Sequence, residues 1–374
     1  MLSGLRRLST ARLGLVPTLR RVMQDNASGT SVTIAGWVRS VRVQKRIAFA
    51  EISDGSTLKG VQVIMEDPLM AKDLTTGCSV EIAGTLSDSP GREQSKEIQA
   101  SSIRVVGKAD AESYPLQKKR HTLEFLREIG HLRPRSQTIG AVTRLRDCAE
   151  IGLHKFFHDN DFVRIHTPAL TSNDCEGGGE TFGVVTQGTD HPESDFFGKR
   201  VSLTVSGQLH LEVFASAFKR VYTLNPAFRA EPSQTGRHLS EFWMLEAECA
   251  FVDSLSTLVG VEEEMVRSTT QFLLDNASAE LDLFARDNEC LARLVRRLTD
   301  QQPFARITYT EAIDILQRVD AKANFAFKPR WGQGLQSEHE RYLAATHFEG
   351  PVFVTDYPAS IKPFYMLPNA DGRT

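Results

Sequence analysis

The sequence predicts an α+β protein in two parts: a small N-terminal β-barrel, then a larger domain built on an antiparallel sheet. Three observations predict it. Between residues 32 and 106, apolar and polar residues alternate in short runs broken by glycine and aspartate turns. From residue 136 the apolar period changes to three and four, the mark of amphipathic helices. Near the middle, residues 221–228 and 241–249 read as two strands joined by a polar loop.

The first segment, residues 1–24, stands apart. It carries Arg6, Arg7, Arg12, Arg20 and Arg21 among leucines, Ser and Thr, with no acidic residue before Asp25. This is the composition of a mitochondrial transit peptide, so the segment is set outside the fold and the matrix is the expected location. A disordered basic tail is the competing reading. Residues 25–107 form the barrel domain. Strands are expected at 32–38, 48–53, 60–65, 79–86 and 96–106, with a hairpin turn at Asp54-Gly55 and a corner at residues 89–92. So many short strands, with Gly36 before Trp37, suggest a closed barrel of the OB type; an open meander fits the same pattern.

Residues 108–135, with Lys118 and Arg120, read as a linker. Residues 136–374 form the second domain. Ile139, Val142, Leu145, Ala149, Leu153 and Phe156 mark its first helix, which ends near Asp159 before a strand at 162–166. Further helices are expected at 254–274 and 309–319, a mixed helical stretch at 276–303, and a short strand at 351–357.

Bulk properties bound the function. A length of 374 residues allows two or three cores, and a net charge of −3 announces no global nucleic-acid field. The five cysteines are scattered without metal-ligand spacing, which excludes a zinc site of the usual kind and points to a reducing compartment. No apolar run reaches membrane-spanning length, so no membrane partner is expected.

The hairpin carries the chemistry. Its second strand puts Phe242, Met244, Glu246 and Glu248 on one face, and Arg229 and Glu231 follow the first strand. A structural sheet has no use for that much charge on one face, because a buried unpaired ion costs several kcal/mol, roughly. An arginine, carboxylates and a ring suit a ligand with phosphate, amine and flat-ring parts. A solvated hairpin is the plain alternative.

The unit at 139–168, the loop Glu176-Gly-Gly-Gly-Glu180, the block Ser206-Gly-Gln-Leu-His-Leu-Glu212 and the hairpin 228–248 occur in one order behind the barrel. In that order they resemble the class II aminoacyl-tRNA synthetases of the aspartate/asparagine/lysine subgroup, from about residue 30 to the end. The resemblance implies an OB-fold anticodon-binding domain followed by a class II catalytic domain. It also implies ATP and Mg²⁺, an aminoacyl-adenylate intermediate, and a homodimer formed through the 139–168 unit.

The same resemblance implies roles. Arg229 is the catalytic arginine on the α-phosphate and the substrate carboxylate, a task suited to a planar bidentate guanidinium. Glu231 meets the adenine amine, Arg237, His238 and Leu239 belong to the ATP-binding loop, and Phe242 stacks on adenine. Glu176, Ser206, Gln208, Leu211, Glu212, Arg229 and Glu246 line the amino-acid pocket, with Glu246 on the α-ammonium; Lys362 falls near it. In the barrel, Phe49 stacks an anticodon base, Gln62 meets a base edge, and Arg39 and Arg42 meet phosphates. Phe49 as barrel core is the competing placement.

Aspartate enzymes of the subgroup carry a lysine where Leu211 stands. Without that cation, and with Glu212 adjacent, L-asparagine and tRNA(Asn) are the expected substrates, with L-aspartate the alternative. The family's third signature block, a glycine-rich strand and a helix ending Gly-x-Gly-x-x-x-Glu-Arg, does not appear before Thr374. With it go an arginine over adenine and the acids expected to hold Mg²⁺. The resemblance therefore implies a catalytic domain incomplete at its C-terminus, and the chain as written is expected not to charge tRNA although its longer parent does. A non-catalytic RNA-binding protein and an asparagine-forming ligase remain as other readings.

Overall fold

A computed structural model of the protein describes residues 14–91, 94–117, 119, 121–173, 181–186, 196–232, 238–286 and 288–374. The chain divides into two compact units, residues 1–147 and 148–374.

The first unit opens with helix α1 (Leu19–Asp25) and continues through β1 (Ser31–Val43), β2 (Ala48–Ser53), β3 (Val61–Met65), β4 (Ser79–Asp88) and β5 (Lys96–Gly107). The strands close a barrel in the order β1-β2-β3-β5-β4, with β3 and β5 parallel and the other neighbours antiparallel. Alternation sets the core: Ala48, Ala50 and Ile52 of β2 and Val61, Val63 and Met65 of β3 point inward, joined by Ile34, Val80, Ile82, Leu86 and Ile98. A bulge at Val38/Ser40 bends β1 so that it pairs with both β2 and β4. A second irregularity, at Ala83/Gly84, brings β4 so close to β5 that a Cβ on Gly84 would lie 2.3 Å from the Gln99 carbonyl oxygen. Only glycine fits there.

The expected boundary at residue 24 runs through α1. Leu19 and Val22 are fully buried in the barrel core, which contributes about 1.5–3 kcal/mol for each side chain, and residues from Leu19 onward belong to the folded unit. The 108–135 stretch, read as a linker, holds helix α2 (Leu123–Glu128) with Leu126 buried, and Arg135 packs its guanidinium over Trp37. Arg135 Nη1 also donates to the Gly77 carbonyl. Lys118 and Arg120 lie outside the described residues.

Helix α3 (Gln137–Asp159) leads into β6 (Val163–Arg164), β7 (Leu170–Thr171), β8 (Gly183–Val184), β9 (Val201–Leu203), α4 (Gln208–Ala215), β10 (Arg220–Phe228) and β11 (Glu241–Cys249). β10 and β11 pair antiparallel along their whole length, from Arg220↔Cys249 to Phe228↔Glu241. β6 lies parallel to β10, so the central sheet is mixed rather than purely antiparallel. The back face of the hairpin packs Tyr222, Leu245 and Cys249 on Phe156, Phe157 and Phe162, with Val261 and Met265 beyond. The Phe157 and Tyr222 rings stack at 4.3 Å.

Next comes α5 (Leu255–Ala285), kinked by non-helical backbone at Ala277 (φ −143°, ψ 31°), close to the expected end at 274. It then continues into the stretch expected to be mixed and helical, and α6 (Glu289–Thr299) follows. β12 (Ala305–Thr308), α7 (Tyr309–Ala323), α8 (Ser337–Arg341) and β13 (Val352–Thr355) complete the unit. β12 and β13 pair in parallel, and α7 covers them with Ala312 and Leu316 packed on Phe325 and Leu343. A Thr308–Glu311 capping box starts α7. Glu263 of α5 ties this region together: it accepts from Arg267, Arg306 and the Phe304 amide, while the Arg267 guanidinium lies 4.2 Å over the Phe304 ring.

Candidate active site

The hairpin's front face is the side opposite the aromatic packing. Val221, Thr223, Asn225 and Ala227 of β10 stand beside Glu248, Glu246, Met244 and Phe242 of β11, and Arg229 follows at the same parity. The Arg229 amide donates to the Ser240 carbonyl, and its guanidinium lies 5.6 Å from the centre of the Phe242 ring. Just beyond, His238 Nε2 and Glu231 Oε2 are 3.3 Å apart, and Leu239 is exposed.

Glu246 is held from a distant part of the chain. The Ser206 hydroxyl donates to Glu246 Oε1, and the Gly207 amide donates to Oε2 at 2.8 Å. Ser206 Oγ in turn accepts from the Gln208 amide at 3.1 Å, so the first residues of α4 and the carboxylate form one unit. A Cβ on Gly207 would lie 3.0 Å from Glu246 Oε2 and from Thr167 Oγ1. Gln208 Nε2 donates to Glu212 Oε1 one helical turn on, at 3.1 Å. Asn225 Nδ2 reaches the Thr167 carbonyl and hydroxyl, closing the strand against β7's approach.

Charge accumulates here. Burial, and then the carboxylates of Glu212 and Glu246, push Glu248 above the usual carboxylate range. Thr223 Oγ1, fully enclosed opposite Glu246, has no hydrogen-bond partner among the described residues. A face with crowded carboxylates and an unsatisfied hydroxyl favours a cationic, hydrogen-bonding ligand group.

Leu211 is fully buried, packed against Ile165 and against Val221 at the end of this same face. Because α4 starts at Gln208, the fourth residue turns toward the sheet while Gln208 and Glu212 share the outer side. Glu176 and Arg237 lie outside the described residues. Lys362 is placed with its Nζ 4.0 Å over the Tyr357 ring. Gly207, Asn225 and Thr223 were missed; the alternation that exposed Glu246 also marks the last two.

In the barrel, the alternation that buries Ala48 and Ala50 turns Phe49 outward, away from the core. Register brings Arg42 opposite Phe49 and Glu51 opposite Gln62. The Arg42 guanidinium lies 4.9 Å over the Phe49 ring, and Arg39 Nε is 4.0 Å from Glu51. Gln62 donates from Nε2 to the buried Glu97. The four residues therefore share the outer face of β1, β2 and β3.

A separate cavity of about 250 Å³, lined by Phe327, Lys328, Arg330 and His339 among others, shares no residue with either face. Among the described residues no group of His, Cys, Asp or Glu is placed to hold a metal ion, and no helix is long and apolar enough to cross a membrane.

Residues 122–374 match the family of class II tRNA synthetases (D, K and N), and residues 32–106 match the OB-fold nucleic acid binding domain. The chain belongs to the class II synthetases. An asparagine–tRNA ligase of Desulfotalea psychrophila is 49% identical over 350 residues, spanning 92% of this chain and 76% of that protein. The corresponding ligase of Parabacteroides distasonis is 47% identical over 372 residues, 94% of this chain and 78% of that one. Among solved structures, asparaginyl-tRNA synthetase of Pyrococcus horikoshii complexed with asparaginyl-adenylate superposes with a TM-score of 0.81 at 28% identity. That match covers 96% of this chain and 78% of the other. The expected architecture, an OB barrel followed by a class II synthetase catalytic domain, is thereby established, and the chain is an enzyme of that synthetase family.

Proposed function

We propose that this synthetase joins L-asparagine to tRNA(Asn) through an asparaginyl-adenylate, in the mitochondrial matrix and as a homodimer. The observation that carries the reaction is the common front face on which Arg229, Phe242 and Glu246 stand in register. On this reading ATP lays its adenine on Phe242 and its amine against Glu231. Asparagine's α-ammonium meets Glu246, which its bonds to Ser206 and Gly207 hold in place.

The substrate carboxylate then attacks the α-phosphorus and pyrophosphate leaves. Arg229 neutralises charge shared by the two substrates as the new bond forms, a contribution of several kcal/mol when the donor is preorganised. Transfer of the acyl group to the tRNA terminus follows. Among the described residues no group of three or more His, Cys, Asp or Glu is placed to hold Mg²⁺.

Selection of the amide rests on the absence of a cation at Leu211 and on the neighbouring carboxylates. Glu212 and Glu248 repel a second carboxylate but accept an amide N–H, and the likeness to asparagine ligases supports the same choice. Pyrophosphate exchange into ATP by the full-length protein tests the assignment: it should run with asparagine, and faster exchange with aspartate would refute it. Support for the matrix is the acid-free, arginine-bearing leader. Support for the dimer is the apolar exposure of Val142 and Ile151 on α3 and Val163 on β6; sedimentation at twice the chain mass is expected.

The outer barrel face is assigned to the anticodon. Phe49 would stack a base once Arg42 leaves its ring for a phosphate, with Gln62 reading an edge and Arg39 completing the charge.

A further inference from the structure

Helix α1 bears on where the leader ends. Its entry is fixed by the barrel: the Leu19 amide donates to Asp54 Oδ2 at 2.7 Å, and the Arg20 amide and Nε donate to Ser56 Oγ and the Ser56 carbonyl. Thr18 caps the helix start. At the other end Lys96 Nζ holds the Met23 and Asn26 carbonyls at 3.1 and 2.5 Å. Leu19 and Val22 lie wholly inside the barrel core. The helix is thus tied to β5 and to the β2–β3 turn by groups from both its termini. Residues 14–16, immediately before it, are exposed and belong to no helix or strand.

Resting on the matrix reading above, we infer that the leader is removed by hydrolysis just before or within residues 14–16, so that α1 stays with the mature protein. An endopeptidase of the compartment catalyses the step. Water adds at one peptide carbonyl and the C–N bond breaks. The leader leaves with a new carboxylate, and the mature chain begins with a new α-amine at Gly14, Leu15 or Val16. The arginines support this partition. Arg6, Arg7 and Arg12 precede the cut and serve as the positive leader. Arg20 follows it and is engaged with Ser56. Pro17 sets the downstream limit, because its ring fixes φ and removes the N–H that a protease uses to bind extended backbone.

Import of the precursor into isolated mitochondria, followed by N-terminal sequencing of the protected product, tests the inference. The expected first residue is Gly14, Leu15 or Val16. A start at Thr18 or beyond, or an uncut protein inside the matrix, overturns it while leaving the location intact. A precursor that stays outside and protease-sensitive removes the location, and the inference with it. Thermal unfolding supplies a second check. A chain beginning at Gly14 should melt with the barrel transition of the longer form, whereas one beginning at Asn26 should lose about 5 °C or more. Equal melting of the two overturns the structural premise.

Discussion

The outer face of the barrel and the front face of the hairpin are both read off strict alternation, yet they manage charge in opposite ways. On the barrel, Arg42 and Arg39 remain near the surface, and Phe49 lies half-buried under the Arg42 guanidinium. On the hairpin, Glu246 is tied to Ser206 and Gly207, and burial beside Glu212 and Glu246 raises the pKa of Glu248. An unpaired RNA base is bound by stacking and screened phosphate contacts, which tolerate water. Adenylate chemistry needs charges placed beforehand in a poorly solvated site, where they act strongly and cost little to reorganise.

The two faces should therefore fail differently. Arg229→Ala is expected to cut the adenylation rate of the full-length protein about a thousandfold or more while leaving tRNA affinity unchanged. Pyrophosphate exchange and filter binding measure the two arms, and a parallel loss in both would erase the contrast.

Behind the hairpin, Glu263→Ala leaves Arg267 and Arg306 without their carboxylate and should cost about 3 kcal/mol or more of stability. Burial raises the Glu263 pKa, but the bonds from Arg267, Phe304 and Arg306 outweigh it and hold the folded value below normal. For an acid with a lowered folded pKa the stabilisation is present above the ordinary carboxylate value and is lost as pH falls through the folded one. Melting curves of the parent and Glu263→Gln should accordingly differ at neutral pH and converge in acid. Divergence on acidification would reject the assignment.

Phe49→Ala, on the barrel, should weaken tRNA binding by about 1–3 kcal/mol with exchange intact. Gly207→Ala sharpens the comparison most finely. Its new methyl presses on Glu246, and KM for asparagine should rise about tenfold with little change in melting temperature. An unaltered KM would mean that Glu246 does not hold the amino acid.

The sheet positions were legible for a simple reason. A strand shows period two in its own residues, so the inward set of β2 and β3 and the front face of β11 could be assigned without knowing any neighbour. In α5 the apolar period weakens at Asn276, and the helix is kinked beside it at Ala277, while Thr270, Ala277 and Glu280 are buried by packing that propensity does not report.

Local order alone thus determined which side chains of β2 and β3 point inward and which of β11 share a face with Glu246, because each depends on residues a few positions apart. Closing the barrel needed pairings such as Ser31 with Thr85. Tertiary structure decided the rest. It turned Leu211 into the core, laid β6 parallel to β10, drew α1 into the barrel and locked Glu246 onto Ser206, 40 residues away. These outcomes depend on which distant surfaces exclude water together, and that choice is made only when the chain closes on itself.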